Sequence, residues 1–180
     1  MPISPNQGPT GGGTVVTITG SNIAGTTGVM FGSKPATSFT QVSPTQVTAV
    51  SPSGTGAVGV TLTTPGGTSN PIPFYYVNAP LLTSLSVSSG PVAGGNTITV
   101  NGTGLSTATR VAFGTNTAVP TVLSDSQLTV TVPAGSAAGA VAVRVTTAGG
   151  TSNSLAYTYV SAPTATTITP TAGPLTAGTP

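Results

Sequence analysis

Four side chains carry full charge in this sequence, and they are widely spaced: Lys34, Arg110, Asp125 and Arg144. General acid–base catalysis needs a titrating group beside the reacting proton, usually His or a carboxylate, and glycoside hydrolysis needs two carboxylates. A chain with one Asp, no Glu and no His meets neither requirement. A Ser or Thr nucleophile would need an activating base, for which Lys34 is the sole candidate, in the other half of the chain from Asp125. An isopeptide bond between Lys34 and Asp125 would also want a second acidic group as proton relay, and there is none. The chain therefore reads as no enzyme.

The same inventory bears on ligands. Zinc sites draw on Cys and His and calcium sites on several carboxylates, so no metal and no cofactor is expected. Nucleic-acid binding scales with the phosphates neutralised, and a net charge of +2 from three scattered cations makes no basic face. The residues 1–5 lack the charged and apolar regions of a signal peptide, and no apolar run is long enough to span a membrane, so neither nucleic acid nor membrane insertion is expected. The side chain left for recognition is Tyr75: in Phe74-Tyr75-Tyr76 alternation turns it away from its neighbours and towards solvent.

The elements that hold these residues come in two copies. Gly8-Pro9-Thr10-Gly11-Gly12-Gly13-Thr14-Val15-Val16-Thr17-Ile18-Thr19-Gly20 recurs as Gly90-Pro91-Val92-Ala93-Gly94-Gly95-Asn96-Thr97-Ile98-Thr99-Val100-Asn101-Gly102, and a third copy opens at Gly173-Pro174. The offset of 82 residues between Gly8 and Gly90 is far longer than a solenoid period, so each copy can be a complete domain. With 25 Gly and 17 Pro, and Thr and Val between them, helices are nearly excluded.

Period-two alternation places Val16 and Ile18, and again Ile98 and Val100, on one face. Val29 and Phe31 match Val111 and Phe113; Val58, Val60 and Leu62 match Val141, Val143 and Val145; Ile72, Phe74 and Tyr76 match Leu155, Tyr157 and Tyr159. Between the last two strands stands one motif, Gly66-Gly67-Thr68-Ser69-Asn70 and Gly149-Gly150-Thr151-Ser152-Asn153, read as a hairpin whose glycines need positive φ. About seven short strands per copy describe an all-β antiparallel sandwich, with a barrel as the lesser alternative. Asn101-Gly102-Thr103 has the form of a glycosylation sequon but reads as a turn at a strand end.

The opening Ser4-Pro5 to Gly8-Pro9 and Gly12-Gly13, the central Val29 to Gly32 and the closing Gly66 to Tyr76, with their second-copy counterparts Gly90-Pro91, Gly94-Gly95, Val111 to Gly114 and Gly149 to Tyr159, resemble the IPT/TIG family of immunoglobulin-like domains. The resemblance implies tandem early-set immunoglobulin-like sandwiches joined end to end. It carries over no catalytic residue, because the motif positions are turn glycines and core apolar residues. Its members serve in receptors, transcription factors, secreted carbohydrate-active enzymes and bacterial surface proteins, so fold alone does not assign a role.

The expected organisation is domain 1 over residues 1–78, domain 2 over 79–161, and over 162–180 the first strand of an incomplete third repeat or a subunit-joining tail. Each linker is short and contains Pro, which stiffens it. Copy two begins Pro80-Leu81-Leu82-Thr83-Ser84-Leu85, whereas copy one begins Met1-Pro2-Ile3, about five residues shorter; Pro163 to Ile168 repeats that strand. The expected function is a structural repeat module of a bacterial extracellular or surface fibre, associating with itself through strand addition. Pro2 and Ile3 would meet Pro163, Thr164, Thr166 and Ile168 of a neighbour. The alternatives are an adhesin or carbohydrate-binding accessory module of a larger secreted protein, with surface glycans as partners at Tyr75, or a virion or phage-tail decoration protein.

Overall fold

A computed structural model describes residues 2–167 and Thr169. Both copies fold as two-sheet sandwiches. In the first, one sheet runs in the order Ile3–Ser4, Val15–Thr19, Gln46–Val50, Ser38–Ser43. The facing sheet runs Gln7–Pro9, Ile72–Val77, Gly56–Thr64, Gly28–Phe31, Lys34–Pro35, with Gly67–Thr68 paired to Gly56–Thr64. The second copy repeats the order: Leu81–Leu85, Thr97–Thr103, Gln127–Thr131, Thr121–Ser124 face Ser89–Pro91, Leu155–Val160, Gly139–Thr147, Arg110–Phe113, Asn116–Ala118, with Gly150–Thr151 on Gly139–Thr147.

Ten elements per copy replace the expected seven: the opening segment divides between both sheets, and the short pairings Lys34–Pro35 and Gly67–Thr68, with their counterparts Asn116–Ala118 and Gly150–Thr151, add two more. Ile3–Ser4 pairs antiparallel with Val15–Thr19, and Gln7–Pro9 then crosses to lie parallel to Ile72–Val77. A strand that changes sheets ties the two layers together.

The alternation read from sequence is the burial observed, except that Val58, Val141 and Leu155 are only partly buried at the core edges. Val16, Ile18, Val29, Phe31, Val60, Leu62, Ile72, Phe74 and Tyr76 are buried in the first core; Ile98, Val100, Val111, Phe113, Val143, Val145, Tyr157 and Tyr159 in the second. Each core is threaded by three rings in edge-to-face contact: Phe31–Phe74 at 5.3 Å and Phe74–Tyr76 at 5.1 Å, Phe113–Tyr157 at 5.5 Å and Tyr157–Tyr159 at 5.3 Å. Such pairs contribute about 0.5–1.5 kcal/mol each beyond their burial.

Buried tyrosines need partners for their hydroxyls. Tyr76 donates to the Pro52 carbonyl and Tyr159 to that of Pro133, both at 2.7 Å. Tyr157 stands where the first copy has Phe74, and its added hydroxyl is met by the Asn96 side chain at 3.0–3.2 Å, where the first copy has Thr14. The two substitutions compensate each other.

Two readings of glycine motifs are corrected by the structure. Asn101-Gly102 is no turn: both lie inside Thr97–Thr103, with Asn101 opposite Gln127, and Gly102 is required because a Cβ would strike the Leu81 carbonyl. In the Gly-Gly-Thr-Ser-Asn motif only the second glycine has positive φ, Gly67 at 121° and Gly150 at 110°. Gly66 and Gly149 have ordinary backbones, so their lack of a Cβ must answer to something else.

Candidate functional site

The charged residues do not converge. Lys34 donates from Nζ to the Ser53 carbonyl at 2.9 Å, beside a hollow of about 400 Å³ that includes Phe31 and Tyr76. Asn116 does the same work in the second copy, donating to the Ala134 carbonyl at 2.8 Å. A position filled by a cation in one domain and an amide in the other, both pinning one loop, is a structural latch. Asp125 accepts from the backbone N–H groups of Gly104 and Ser106 at 3.2 and 3.4 Å. The Ser106 side chain first, and then these two N–H groups, hold its carboxyl below the usual range. Among the described residues no cluster of metal-ligating side chains occurs, and no helix is long and apolar enough to cross a membrane.

What the fold does build is a receptor for a strand. Asn78, Ala79 and Pro80 connect the domains, and their backbone passes so close to Gly149 that a Cβ there would collide with the Asn78 carbonyl. Pro80 and Leu82, at the start of the second domain's own opening strand, are then buried. The Asn153 side chain clamps Leu82 from both sides, accepting from its N–H at 2.7 Å and donating to its carbonyl at 3.1 Å. Ser152 supports the clamp by accepting from Val145 N–H at 2.9 Å and donating to the Asn153 carbonyl. Pro9, at the end of a first-domain strand, comes within ordinary contact of a Cβ position at Gly150. The Gly-Gly-Thr-Ser-Asn motif is thus the seat of the domain junction as well as a turn.

The first domain carries the same motif. Ser69 accepts from Leu62 N–H and donates to the Asn70 carbonyl, each at 3.0 Å, as Ser152 does. Yet the Asn70 side-chain amide has no hydrogen-bond partner among the described residues, Gly66 is exposed where Gly149 is buried, and Thr64 and Ser69 are half-buried where Thr147 and Ser152 are buried. A groove of about 550 Å³ lies there, bordered by Ile23, Leu62, Gly66 and Asn70.

The residues singled out from sequence sit at the two ends of this arrangement. The Pro2 carbonyl accepts from Thr19 N–H at 3.1 Å, and Ile3 packs half-buried on the first core. Pro163, Thr164 and Thr166 are exposed and belong to no strand; Ile168 lies outside the described residues. One chain does not bring the two sets into a common strand pair. Tyr75 is 44% exposed on the outer face of Ile72–Val77. Sequence reading missed Gly66, Asn70, Gly149 and Asn153; the legible hint was a second glycine, more than the turn needs, and an Asn repeated in both copies.

The model of the family described as IPT/TIG domain matches residues 1–76 and again 80–159. Among solved structures, the extracellular region of plexin A4 is similar in two forms. One has 22% identity and a TM-score of 0.60 over 89% of this chain and 18% of that one. The other has 29% identity and a TM-score of 0.52 over 76% and 13%. SGBP-B from a complex xyloglucan utilization locus in Bacteroides uniformis aligns at 19% identity and a TM-score of 0.41, over 88% of this chain and 48% of that one. The chain spans less than a fifth of the plexin region and about half of SGBP-B.

Proposed function

Because the chain belongs to the IPT/TIG family, as two tandem domains of it, we propose that it is a non-enzymatic, semi-rigid spacer: a segment of a larger extracellular or surface-exposed protein that holds neighbouring parts at fixed distance and angle. The observation that carries this reading is the seated junction. A connection of three residues, Asn78 to Pro80, lies with its Asn78 carbonyl against Gly149, leaving no room for a Cβ there, and ends on the buried Pro80, where a free tether would be solvated. Similarity to a segment of the plexin A4 extracellular region supports the extracellular placement. The scattered charge, with Lys34 and Asp125 each engaged in holding a loop, supports a mechanical role over a chemical one.

Backbone 15N relaxation tests it. A spacer gives both domains one correlation time, that of a body of about 160 residues; two separate times, each that of a domain of about 80 residues, would refute the reading.

A second reading, a glycan-binding accessory module, is favoured by Tyr75 alone, since an exposed ring can stack on a sugar face. Its counterpart Thr158 lacks the ring, so binding would be confined to the first domain. A glycan-array signal lost in Tyr75→Ala would support it, and a signal unchanged by that substitution would remove it.

A further inference from the structure

We propose that the hollow beside Lys34 on the first domain binds a small hydroxylated carboxylate, of the chemical class of the uronic acids. Lys34 meets the carboxylate, and the hydroxyls of Thr10, Ser33, Ser53 and Thr55 meet those of the ligand. The proposal goes beyond the spacer reading and does not depend on it.

Lys34 is the one charged side chain of the first domain, which has no carboxylate side chain to pair with it. Its work as a latch does not need a charge, because Asn116 makes the equivalent contact to the Ala134 carbonyl with a neutral amide. A lysine ammonium carries three donors. The Ser53 carbonyl takes one at 2.9 Å, and the Ser53 hydroxyl takes at most a second, at the long distance of 3.5 Å, so at least one is left over. A cation with no counter-charge and a spare donor thus borders a hollow of about 400 Å³, a size within the range of about 300–1,000 Å³ in which small-molecule sites fall.

The rest of the lining sets the ligand's chemistry. Thr10, Ser33, Ser53 and Thr55 border the hollow, with Val58 as an apolar wall. Among the described residues the hydroxyls of Thr10, Ser33 and Thr55 bond to no protein group, whereas Thr26, Thr64 and Ser69 spend theirs on backbone carbonyls of their own turns. A hydroxyl both donates and accepts, so a rim of them matches a polyol, and one cation matches one negative charge. A phosphate dianion would want a second cation, and the domain has none. The second domain provides the contrast: Val92, Asn116 and Ala134 stand where the first has Thr10, Lys34 and Ser53, and Val92 packs against the core instead. Phe31 and Tyr76 of the lining recur as Phe113 and Tyr159. What differs between the copies is the polar rim, while the aromatic core that supports it is kept, so the site belongs to the first domain alone.

Titration of the 15N-labelled chain with sodium galacturonate, read from amide shifts, is the experiment. The expected result is saturable movement of Ser33, Lys34 and Ser53 to Thr55 with a dissociation constant on the order of 1 mM, since an exposed ion pair adds little by itself. Galactose, which lacks the carboxylate, and acetate, which lacks the hydroxyls, should each bind at least about fivefold more weakly. Lys34→Asn copies the latch of the second domain, so the loop stays in place, and should lose the preference for galacturonate over galactose. A tetrasaccharide of galacturonate separates two sources of the same chemistry: tighter binding than the monosaccharide identifies an acidic polysaccharide and equal binding a free sugar acid, each in support of the site. Amides that stay still up to about 20 mM galacturonate, a response that acetate reproduces in full, or one that Lys34→Asn leaves unchanged would overturn the proposal. The correlation-time measurement, made without ligand, reports on the spacer reading independently of all these outcomes.

Discussion

Gly149→Ala and Gly66→Ala are the same substitution at the same place in two copies of one motif, and they should behave oppositely. At Gly149 the added Cβ meets the Asn78 carbonyl, with the Asn78 carbonyl carbon 2.6 Å away and the Val77 oxygen 3.1 Å away. These are backbone atoms and cannot rotate aside, so the linker must lift. Lifting it strains or breaks the two Asn153–Leu82 hydrogen bonds, worth about 1 kcal/mol each. It also exposes part of Leu82, which is 3% accessible and whose full burial contributes about 1.5–3 kcal/mol. Part of that burial survives if only the linker moves, so the second domain should lose about 2–4 kcal/mol. In a domain of about 80 residues this lowers the midpoint by roughly 10 °C or more. At Gly66 the Cβ meets only the Thr64 hydroxyl, at an ordinary contact distance of 3.6 Å, and loss of glycine's freedom in the unfolded chain makes the change neutral or stabilising by up to about 1 kcal/mol. Calorimetry resolves the two transitions, and hydrogen exchange of the Leu82 amide reports whether the clamp has opened. Equal shifts in both variants, or a Leu82 amide still protected in Gly149→Ala, would refute the account of the junction.

The Asn96–Tyr157 pair should show strong coupling: Asn96→Ala leaves the buried Tyr157 hydroxyl without its partner and should cost about 1–3 kcal/mol, whereas Asn96→Thr with Tyr157→Phe reproduces the first copy and should cost less than either change alone, as measured by urea denaturation. Stability should be nearly flat from pH 5 to 9. On the acid side, Asp125 is held below its ordinary value, so its contribution is present above the unfolded pKa of about 4 and lost as pH falls through the folded one; Asp125→Asn should flatten that limb. On the alkaline side, burial raises Tyr76 and Tyr159 above 10.0, so the unfolded chain ionises first and stability declines as pH rises beyond about 10. Denaturation midpoints against pH check both limbs, and a steep slope near neutrality would contradict the assignment.

The role of the motif glycines shows why the sequence was only partly readable. Gly12 and Gly13, with φ of 79° and 86°, could be read as turn residues because positive φ is a local demand. Gly149 has no local demand at all; its need for a bare Cα comes from Asn78, far away in sequence. Asn101-Gly102 was misread for the same reason, since the pair has turn chemistry locally while Gly102 answers to Leu81 across a strand pair.

By itself the sequence determined that the chain is all-β, that it is two copies of an IPT/TIG sandwich, which residues face each core, and that it holds one carboxylate side chain and no His. Those are matters of composition and of a period of two, which act between near neighbours. Only the tertiary structure decided that the Gly-Gly-Thr-Ser-Asn motif is the seat of the domain junction and that Asn153 clamps a strand 71 residues away. The physical reason is that close approach and hydrogen-bond complementarity belong to pairs of segments, and their partners are named by the fold.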